Sequence, residues 1–297
     1  MPASARGASS TRSGRRRFNP SILGVLPFLI FAFAFLIIPA SYLVIGSLQD
    51  KTGAFTTQNY ADLTKDGVGG PREAYLTSIE ISAVTAIAGA ILGFLLAYAV
   101  ISGGLPKALR SGLMTFSGVA SNFAGIPLAL AFVFTLGSNG LFTVLLRDAG
   151  INIYDSGFKL YSKFGLELVY LYFQFPLMVL IIAPAIDGLR KDWREASENM
   201  GASTFQYWRY IALPILLPTL MGSTLLLFGN AFGAQATAFQ LAPLVNIAPV
   251  LIGKQMSGDV LHNPGLGYAL AIGMVAIMGV AILAYSVLQR RSERWMR

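Results

Sequence analysis

The chain has 297 residues, of which 55% are hydrophobic and only 12% are charged. A typical soluble domain has roughly 25% charged residues, so this balance excludes an ordinary soluble protein and indicates a chain embedded in lipid. The sequence has no cysteine and a single histidine, His262, which excludes disulfides, a thiolate nucleophile and a two-histidine zinc site.

The uncharged stretches are long enough to cross a membrane as helices. Spanning the hydrocarbon takes about 20 apolar residues, and continuous apolar runs favour helices over the alternating strands of a barrel. We therefore predict an all-α polytopic membrane protein. Six spans are predicted, at about 21–48, 75–102, 111–136, 164–187, 214–240 and 265–289.

These spans form one predicted transmembrane domain, 21–289, between two basic tails at 1–20 and 290–297. The third span is predicted to continue through a Gly-Ser-Asn-Gly break at 137–140 into a short amphipathic piece, 141–147, at the outer surface. No further domain is predicted.

The basic N-terminal tail precedes an apolar run from Ile22 to Ile45. A secretory signal has an apolar region of only about 7–15 residues followed by a small-residue cleavage site. The length of the run therefore favours a retained signal-anchor span, and it argues equally against a twin-arginine export signal. The arginines of the tail are Arg6, Arg12, Arg15, Arg16 and Arg17.

Glycine pairs at four-residue spacing occur in two spans, Gly89 with Gly93 and Gly229 with Gly233. Small residues at this spacing let neighbouring membrane helices approach closely. The pattern is explained by helix packing, with a role in gating as the alternative.

The distribution of basic residues predicts the orientation. With the N-terminus inside, fifteen of the 22 Lys and Arg residues lie in the two tails and the second and fourth loops, and seven lie in the outer loops. Because cytoplasmic loops carry the excess of positive charge, both termini are predicted to be cytoplasmic. The net charge of +8 then reflects topology and contact with anionic membrane lipid, and it gives no reason to expect nucleic-acid binding.

The fourth loop, about 188–213, interrupts the hydrophobic pattern with two predicted helices. Helix-forming residues run from Leu189 to Met200, and Gly201 supplies the left-handed residue that closes a helix C-terminus. Ser203 is a good N-cap for a second short helix, which ends where Pro214 turns the chain back into the bilayer. We predict a helix-turn-helix knob on the cytoplasmic face.

Aromatic residues concentrate in this knob. Aromatic side chains among charged ones are typical of a protein docking site, but they are equally typical of an interfacial belt resting on lipid. Composition leaves both interpretations open. The residues are Trp193, Phe205, Tyr207, Trp208 and Tyr210.

The spacing within the loop resembles a known motif. Glu195-Ala196-Ser197, three residues, Gly201, nine residues and then Ile211-x-Leu213-Pro214 is similar to the EAA loop of type I ABC importer permeases, E-A-A-x3-G-x9-I-x-L-P. Ser197 replaces the second alanine, which is a small-for-small change. In that family the loop forms coupling helices that sit in a cleft of a separate ATPase subunit. The resemblance implies these coupling residues: Arg194, Glu195, Ala196, Ser197, Gly201, Ile211, Leu213 and Pro214.

The resemblance covers most of the chain, from about residue 20 to 290, and segments 121–127 and 232–238 are most similar to the spermidine/putrescine branch. It implies a bacterial inner-membrane protein whose partners are ABC ATPase subunits, a second permease subunit and an extracytoplasmic solute-binding protein. Polyamine-type systems generally pair two different permeases, which favours a heterodimer. The chain has no G-x-x-x-x-G-K-[ST] loop, so ATP hydrolysis is expected on the partner, and no cofactor, metal or catalytic residue is predicted here.

A path for a polar solute requires hydrogen-bonding groups within the spans, where such groups are costly against lipid. Asn230 and Thr237 are seven residues apart and share a helix face. Each candidate has two readings, contact with solute or bonding between helices. The candidate path residues are Glu80, Asn122, Gln174, Asn230, Gln235 and Thr237.

Glu80 is predicted near the outer end of the second span. It is interpreted either as a counter-charge for an amine solute or as an interfacial acid that pairs with water or Arg72. Glu167, at the outer start of the fourth span, has the same two interpretations, and His262 is expected in an outer loop without chemistry.

Three classes of function compete. An importer permease alternates between inward-open and outward-open states and hydrolyses nothing itself. An ion-coupled secondary transporter, the alternative, requires charged residues and broken helices at mid-membrane and an internal repeat, and no clear repeat or buried charge pair is found. A membrane-embedded enzyme requires clustered His, Asp or Cys, which the composition largely excludes.

Overall fold

A computed structural model describes residues 21–65, 67–257 and 262–294. The predicted tail 1–20 lies outside the described residues, as do the last three residues of the tail 290–297. Over the part that is described, the regular elements are helical apart from a single β-bridge between Gln49 and Phe55. The predicted all-α class is confirmed.

Fourteen α-helices and two π-helical turns make up the described chain. The π-helical turns are Phe33–Ile37 and Trp208–Ala212. The helices are α1 Ser21–Ala32, α2 Ile38–Ser47, α3 Gln58–Asp62, α4 Pro71–Ser102, α5 Lys107–Asn122, α6 Gly125–Leu136, α7 Leu141–Asp148, α8 Lys163–Asp187, α9 Lys191–Asn199, α10 Thr204–Tyr207, α11 Leu213–Phe232, α12 Gln235–Leu241, α13 Ala248–Ser257 and α14 Pro264–Arg294.

Six helical stretches of the described residues are long and apolar enough to cross a membrane, as predicted. Four of them coincide with predicted spans to within a few residues. The fifth begins at Thr204, well ahead of its predicted start at 214, and its predicted last turns form the separate helix α12. The third differs. The stretches are Gly24–Ser47, Pro71–Ser102, Gly125–Asp148, Lys163–Asp187, Thr204–Phe232 and Pro264–Arg290.

The predicted third span, 111–136, is not continuous. It comprises most of α5 and all of α6, with a break at Phe123 and Ala124. Both helices pack against α8. At this break the ring centroids of Phe123 and Tyr172 are 6.2 Å apart. Arg110 of α5 forms an ion pair with Asp187, the last residue of α8. Packing therefore joins α5 and α6 into one interrupted crossing, whereas hydropathy alone favours α6 with α7, because α5 carries polar residues.

Helices α4 and α8 pack closely together, and the glycines of α4 make this possible. A Cβ added at Gly89 would overlap Gln174, and one added at Gly93 would overlap Met178. Small residues bring the helix axes together and so increase dispersion contacts along the pair. The packing interpretation of Gly89 and Gly93 is confirmed.

The first span lies at the edge of the bundle. The most apolar part of the stretch Gly24–Ser47 has no buried residue. Helix α2 packs against α14, and Ser47 at its end bonds to Asn59 and Tyr60. Gly46 lies against the ring of Tyr268, where no Cβ would fit. The apolar surface of this span is thus left for lipid or another membrane chain.

Candidate functional site

The 188–213 loop folds as two helices at the end of α8, as predicted. Helix α9 ends in a Schellman motif, in which the Gly201 amide donates to the Glu198 carbonyl at 2.9 Å and the Ala202 amide donates to the Ser197 carbonyl at 3.0 Å. Gly201 has φ of +80°. This left-handed conformation is costly for any residue with a Cβ, so the glycine sets the sharp turn.

A capping box starts α10 immediately after the turn. The Ser203 hydroxyl accepts a bond from the Gln206 amide at 3.3 Å, and the Gln206 side chain accepts one from the Ser203 amide at 2.7 Å. Two of the orphan donors at the helix N-terminus are satisfied in this way. The predicted N-cap is confirmed, and the knob is held by local bonds at both ends of its turn.

The outward surface of α9 is formed by Glu195 and Ala196, which are exposed, whereas Ser197 is buried. The Ser197 hydroxyl donates to the Arg194 carbonyl at 2.7 Å, within its own helix. The serine in place of the second alanine therefore changes the inner side of the helix. The surface offered to a partner is unaffected.

Arg194 and Glu198 form an ion pair one helical turn apart, with 2.9 Å between Nε and Oε1. The bond to the Glu198 carboxylate raises the pKa of the Arg194 guanidinium. Both side chains are about half exposed, so water screens the pair and its contribution to stability is small. The ion pair therefore fixes where the charge of Arg194 lies on the knob and contributes little to the stability of the fold.

The aromatic residues of the knob do not form one surface. Tyr207 is buried, and the Trp208 ring packs edge-on against Tyr98, with ring centroids 4.8 Å apart. Only Phe205 and Tyr210 are strongly exposed, at 70% and 68%. Neither the docking interpretation nor the lipid-belt interpretation therefore applies to all five residues, because Tyr207 and Trp208 pack inward toward Tyr98.

The last three motif residues lie where the knob joins α11. Pro214 has no N–H and cannot bond to a carbonyl of the preceding turn, and the chain forms the π-helical turn Trp208–Ala212 just before it. Ile211 is half-buried and Leu213 is exposed. The helical stretch Thr204–Phe232 nevertheless runs through Pro214 without a break, so the prediction that the second helix ends there is wrong.

A second group of predicted residues lies at two helix breaks that contact each other. The third crossing is interrupted before Gly125, and the fifth is interrupted at Gly233 and Ala234. The Gly125 amide donates to the Thr237 hydroxyl at 2.9 Å, and this hydroxyl lies 3.3 Å from the Gly125 carbonyl. Gly125 has φ of +73°. A glycine and a buried threonine thus join α6 to α12.

Helix α8 supports the fifth-span break from the other side. The Tyr170 hydroxyl donates to the Ala234 carbonyl at 2.5 Å, and the Gln174 amide donates to the Leu227 carbonyl at 2.8 Å. Ala234 is the N-cap of α12, so its carbonyl lies between the two helices of the fifth crossing. The bond from Tyr170 therefore ties α8 to the break.

The predicted path residues divide into two sets. Gln174 and Thr237 are buried and bond to other helices. Asn122, Asn230 and Gln235 are exposed next to the breaks, and the Gln235 amide lies directly against Gly253 of α13. Five of the six predicted residues thus lie in one region of the bundle. Two of them, Gln174 and Thr237, form the bonds between helices that were the alternative to contact with solute.

Glu80, the sixth, lies apart from the breaks. It forms an ion pair with Lys163, the first residue of α8. The sequence interpretations named an amine solute, water or Arg72 as its partner, and did not consider Lys163. The pair links α4 to the start of α8 at an exposed site, where water screens it.

Sequence reasoning missed Tyr170, Lys163 and Gly125 as individual residues. A tyrosine within an apolar span was a usable signal, because a buried hydroxyl needs a partner. Gly125 stands two residues before Pro127, and a proline in the first turn is typical of a helix start. Among the described residues, no group of three or more His, Cys, Asp or Glu is arranged to hold a metal ion.

Residues 89–297 match the model of one protein family, the binding-protein-dependent transport system inner membrane component. The match covers well over half of the chain. The chain belongs to this family. It is therefore a multi-pass inner-membrane transport permease, as the EAA-like loop predicted.

Curated relatives of this permease include proteins named for two solute classes. A probable sulfate transport permease of Nephroselmis olivacea is 22% identical over 77% of this chain and 76% of the relative. The spermidine/putrescine permease PotB of Salmonella typhimurium is 24% identical over 89% of this chain and 90% of the relative. PotB of Haemophilus influenzae is 29% identical over 50% of this chain and 52% of the relative.

The fold of the permease is that of a solved importer. A chain from a bacterial ABC transporter involved in alginate import superposes with a TM-score of 0.76, at 17% identity, over 91% of this chain and 95% of that one. The predicted type I importer architecture is confirmed.

Proposed function

We propose that this permease is the translocation subunit of an ATP-driven importer and that its 188–213 loop docks on a separate ATPase subunit. The observation that carries the proposal is the construction of the knob. Glu195 and Ala196 face outward on a short helix whose end is fixed by the Gly201 turn and the Ser203 capping box. A rigid, locally bonded protrusion can transmit a displacement of its partner to α8 and α11.

The proposed assembly contains two permeases, two ATPases and an external solute-binding protein. The family description names a binding-protein-dependent system, and a solved alginate transporter of this fold, with a TM-score of 0.72, is described in complex with a substrate-bound periplasmic protein. We propose a heterodimer of permeases, by resemblance to polyamine-type systems. Both termini are proposed to be cytoplasmic, because this orientation puts most Lys and Arg residues inside.

The solute path is proposed to run past the two helix breaks. Asn122, Asn230 and Gln235 are exposed there, on a surface that a second permease would enclose. Uncharged amides bind polar groups and lose little when hydrated, so the solute is proposed to be small and polar. Since segments 121–127 and 232–238, which resemble the spermidine/putrescine branch, are the two that meet at the breaks, we propose a polyamine.

Coupling is tested by purifying the full transporter and measuring the ATPase activity that loaded binding protein stimulates. Glu195→Ala removes the outward carboxylate, and we expect stimulated activity to fall roughly tenfold or more, as for loss of one partner of an interfacial charge pair. Asn199→Ala, on the same helix and also exposed, is the control and should retain activity. Equal activity in both variants would remove the basis for docking through Glu195.

The solute is tested separately in proteoliposomes, with uptake of labelled spermidine and of labelled sulfate measured in parallel. ATP-dependent spermidine uptake supports the polyamine proposal. Uptake of sulfate alone would overturn it while leaving the importer function intact. Uptake driven by an ion gradient without ATP would instead support a secondary transporter.

A further inference from the structure

Between the knob and the membrane helices lies a cavity of about 410 Å³, and Arg194 is the one residue of the predicted coupling set that lines it. It opens where α4 and α8 end and where α5 and α9 begin. Its lining includes the aromatic residues Tyr98 and Trp208 and the apolar residues Ile101 and Ile186. Glu195 and Ala196 are not among the lining residues, so docking through their face of α9 leaves the cavity accessible.

The cavity wall is strongly basic. Its charged lining residues are one carboxylate and four cations: Asp187, Arg110, Arg190, Lys191 and Arg194. Arg110 pairs with Asp187 at 2.5 Å, while Arg190 and Arg194 pair with acids outside the lining, at 2.7 Å and 2.9 Å. Within the part of the chain that the structure describes, no ion pair involves Lys191. The lining itself holds three more cations than carboxylates, and with the acids just outside it counted, the positive charge of Lys191 is left over.

The position of the cavity indicates a ligand that is anionic at one end and apolar at the other. Ser102 and Asp187, the last residues of α4 and α8, lie in the lining, so the cavity is at the boundary between apolar spans and polar loop. Aromatic side chains are typical of the headgroup level of a membrane. Basic pockets between membrane helices at the cytoplasmic side suit lipid phosphate groups.

We propose that this cavity binds the phosphate of an anionic phospholipid, with the acyl chains leaving along α4 and α8. The inference rests on the proposed function only for its orientation, which places this end of the bundle in the cytoplasmic leaflet. A lipid bound there bridges the ends of α4 and α8 to the first turn of α9. It stabilises the knob at the point where movement of the ATPase reaches the spans.

Binding is measured by native mass spectrometry of the full transporter in detergent, with phosphatidylglycerol and phosphatidylcholine as probes and no ATP present. Phosphatidylglycerol should bind more tightly. Arg190→Gln with Lys191→Gln should weaken it roughly 30-fold, from the contribution of two basic residues near an anionic group. Lys107→Gln with Arg209→Gln removes the same charge from the same end of the bundle but outside the cavity, and should leave binding within about twofold.

Equal weakening in the two double variants would mean general surface attraction and would overturn the proposal. Inorganic phosphate that displaces phosphatidylglycerol at equal concentration would assign the cavity to a free anion and overturn the lipid source. If the double variant does not fold, the single variants Lys191→Gln and Lys191→Glu replace it, because Lys191 is exposed. Lys191→Glu should lower binding further than Lys191→Gln. Because no ATPase activity is read, failure here is distinct from failure of coupling through Glu195.

Discussion

The Gly125 amide donates a hydrogen bond of 2.9 Å to the Thr237 hydroxyl and so joins two interrupted membrane crossings that are 112 residues apart in sequence. Gly125 begins α6, and Thr237 lies in the first turn of α12. Two broken helices held together by one side chain provide polar backbone within the bundle without exposing it to lipid. The exposed amides of Asn122 and Gln235 flank this junction.

Thr237→Val tests the junction. The variant keeps the shape of the side chain but removes the hydroxyl, so we expect the free energy of unfolding to fall by about 1 kcal/mol and solute uptake to fall with it. Thr224→Val is the control, because the Thr224 hydroxyl bonds only to the Leu220 carbonyl of its own helix. Thermal unfolding in detergent and uptake in proteoliposomes measure the two effects. Identical results for both variants would contradict a joining role.

Tyr170→Phe tests the support of the fifth-span break. Without the hydroxyl, the Ala234 carbonyl loses a bond of 2.5 Å, and we expect about 1–2 kcal/mol of destabilisation with faster amide exchange around the break. Tyr172→Phe is matched in chemistry and lies on the same helix, where its ring packs against Phe123 and Phe132. Hydrogen exchange that is unchanged in Tyr170→Phe would show that the carbonyl finds another partner.

Gly201→Ala tests the turn of the knob. At φ of +80° an alanine is strained, so the variant should lose about 1–2 kcal/mol locally and reduce ATPase stimulation. Gly112→Ala is the control, since Gly112 lies within α5 and a Cβ there meets no atom within 4 Å. Faster amide exchange confined to α9 and α10 is the expected readout. A fully native exchange pattern would contradict the importance of the turn.

Single cysteines test the orientation, because the natural chain has none. Val68 and Met200 are both highly exposed, at 105% and 78%, on opposite ends of the bundle. A membrane-impermeant maleimide added to intact cells should label Val68→Cys, and it should label Met200→Cys only after permeabilisation. The reverse pattern would place the knob outside and contradict docking on a cytoplasmic ATPase.

Much of the fold was predictable because hydropathy is a local property. A run of about 20 apolar residues defines a span wherever it occurs, so the spans and the all-α class follow from composition along the chain. The third crossing was the exception. The sequence predicted one continuous span, 111–136, and only the tertiary structure shows that it is divided into α5 and α6, which both pack on α8.

The knob was predictable for the same reason. Helix caps are short-range, so Gly201 and Ser203 could be recognised by their types and spacing, and both motifs formed as expected. The direction of the aromatic side chains was not predictable. Tyr207 and Trp208 turn inward because Tyr98, more than 100 residues earlier, lies beneath them.

The sequence by itself determined the class of this protein, its apolar crossings, its family and the motif of its 188–213 loop, all of which depend on residues close together in the chain. Only the tertiary structure decided that the breaks at Gly125 and Ala234 meet, that Tyr170 supports one of them and that Lys163 is the partner of Glu80. These pairings join distant residues, and one polar side chain in a span has many partners it could reach. Packing of α4 on α8 selects the partner of Glu80, and packing of α12 on α6 brings Thr237 to Gly125.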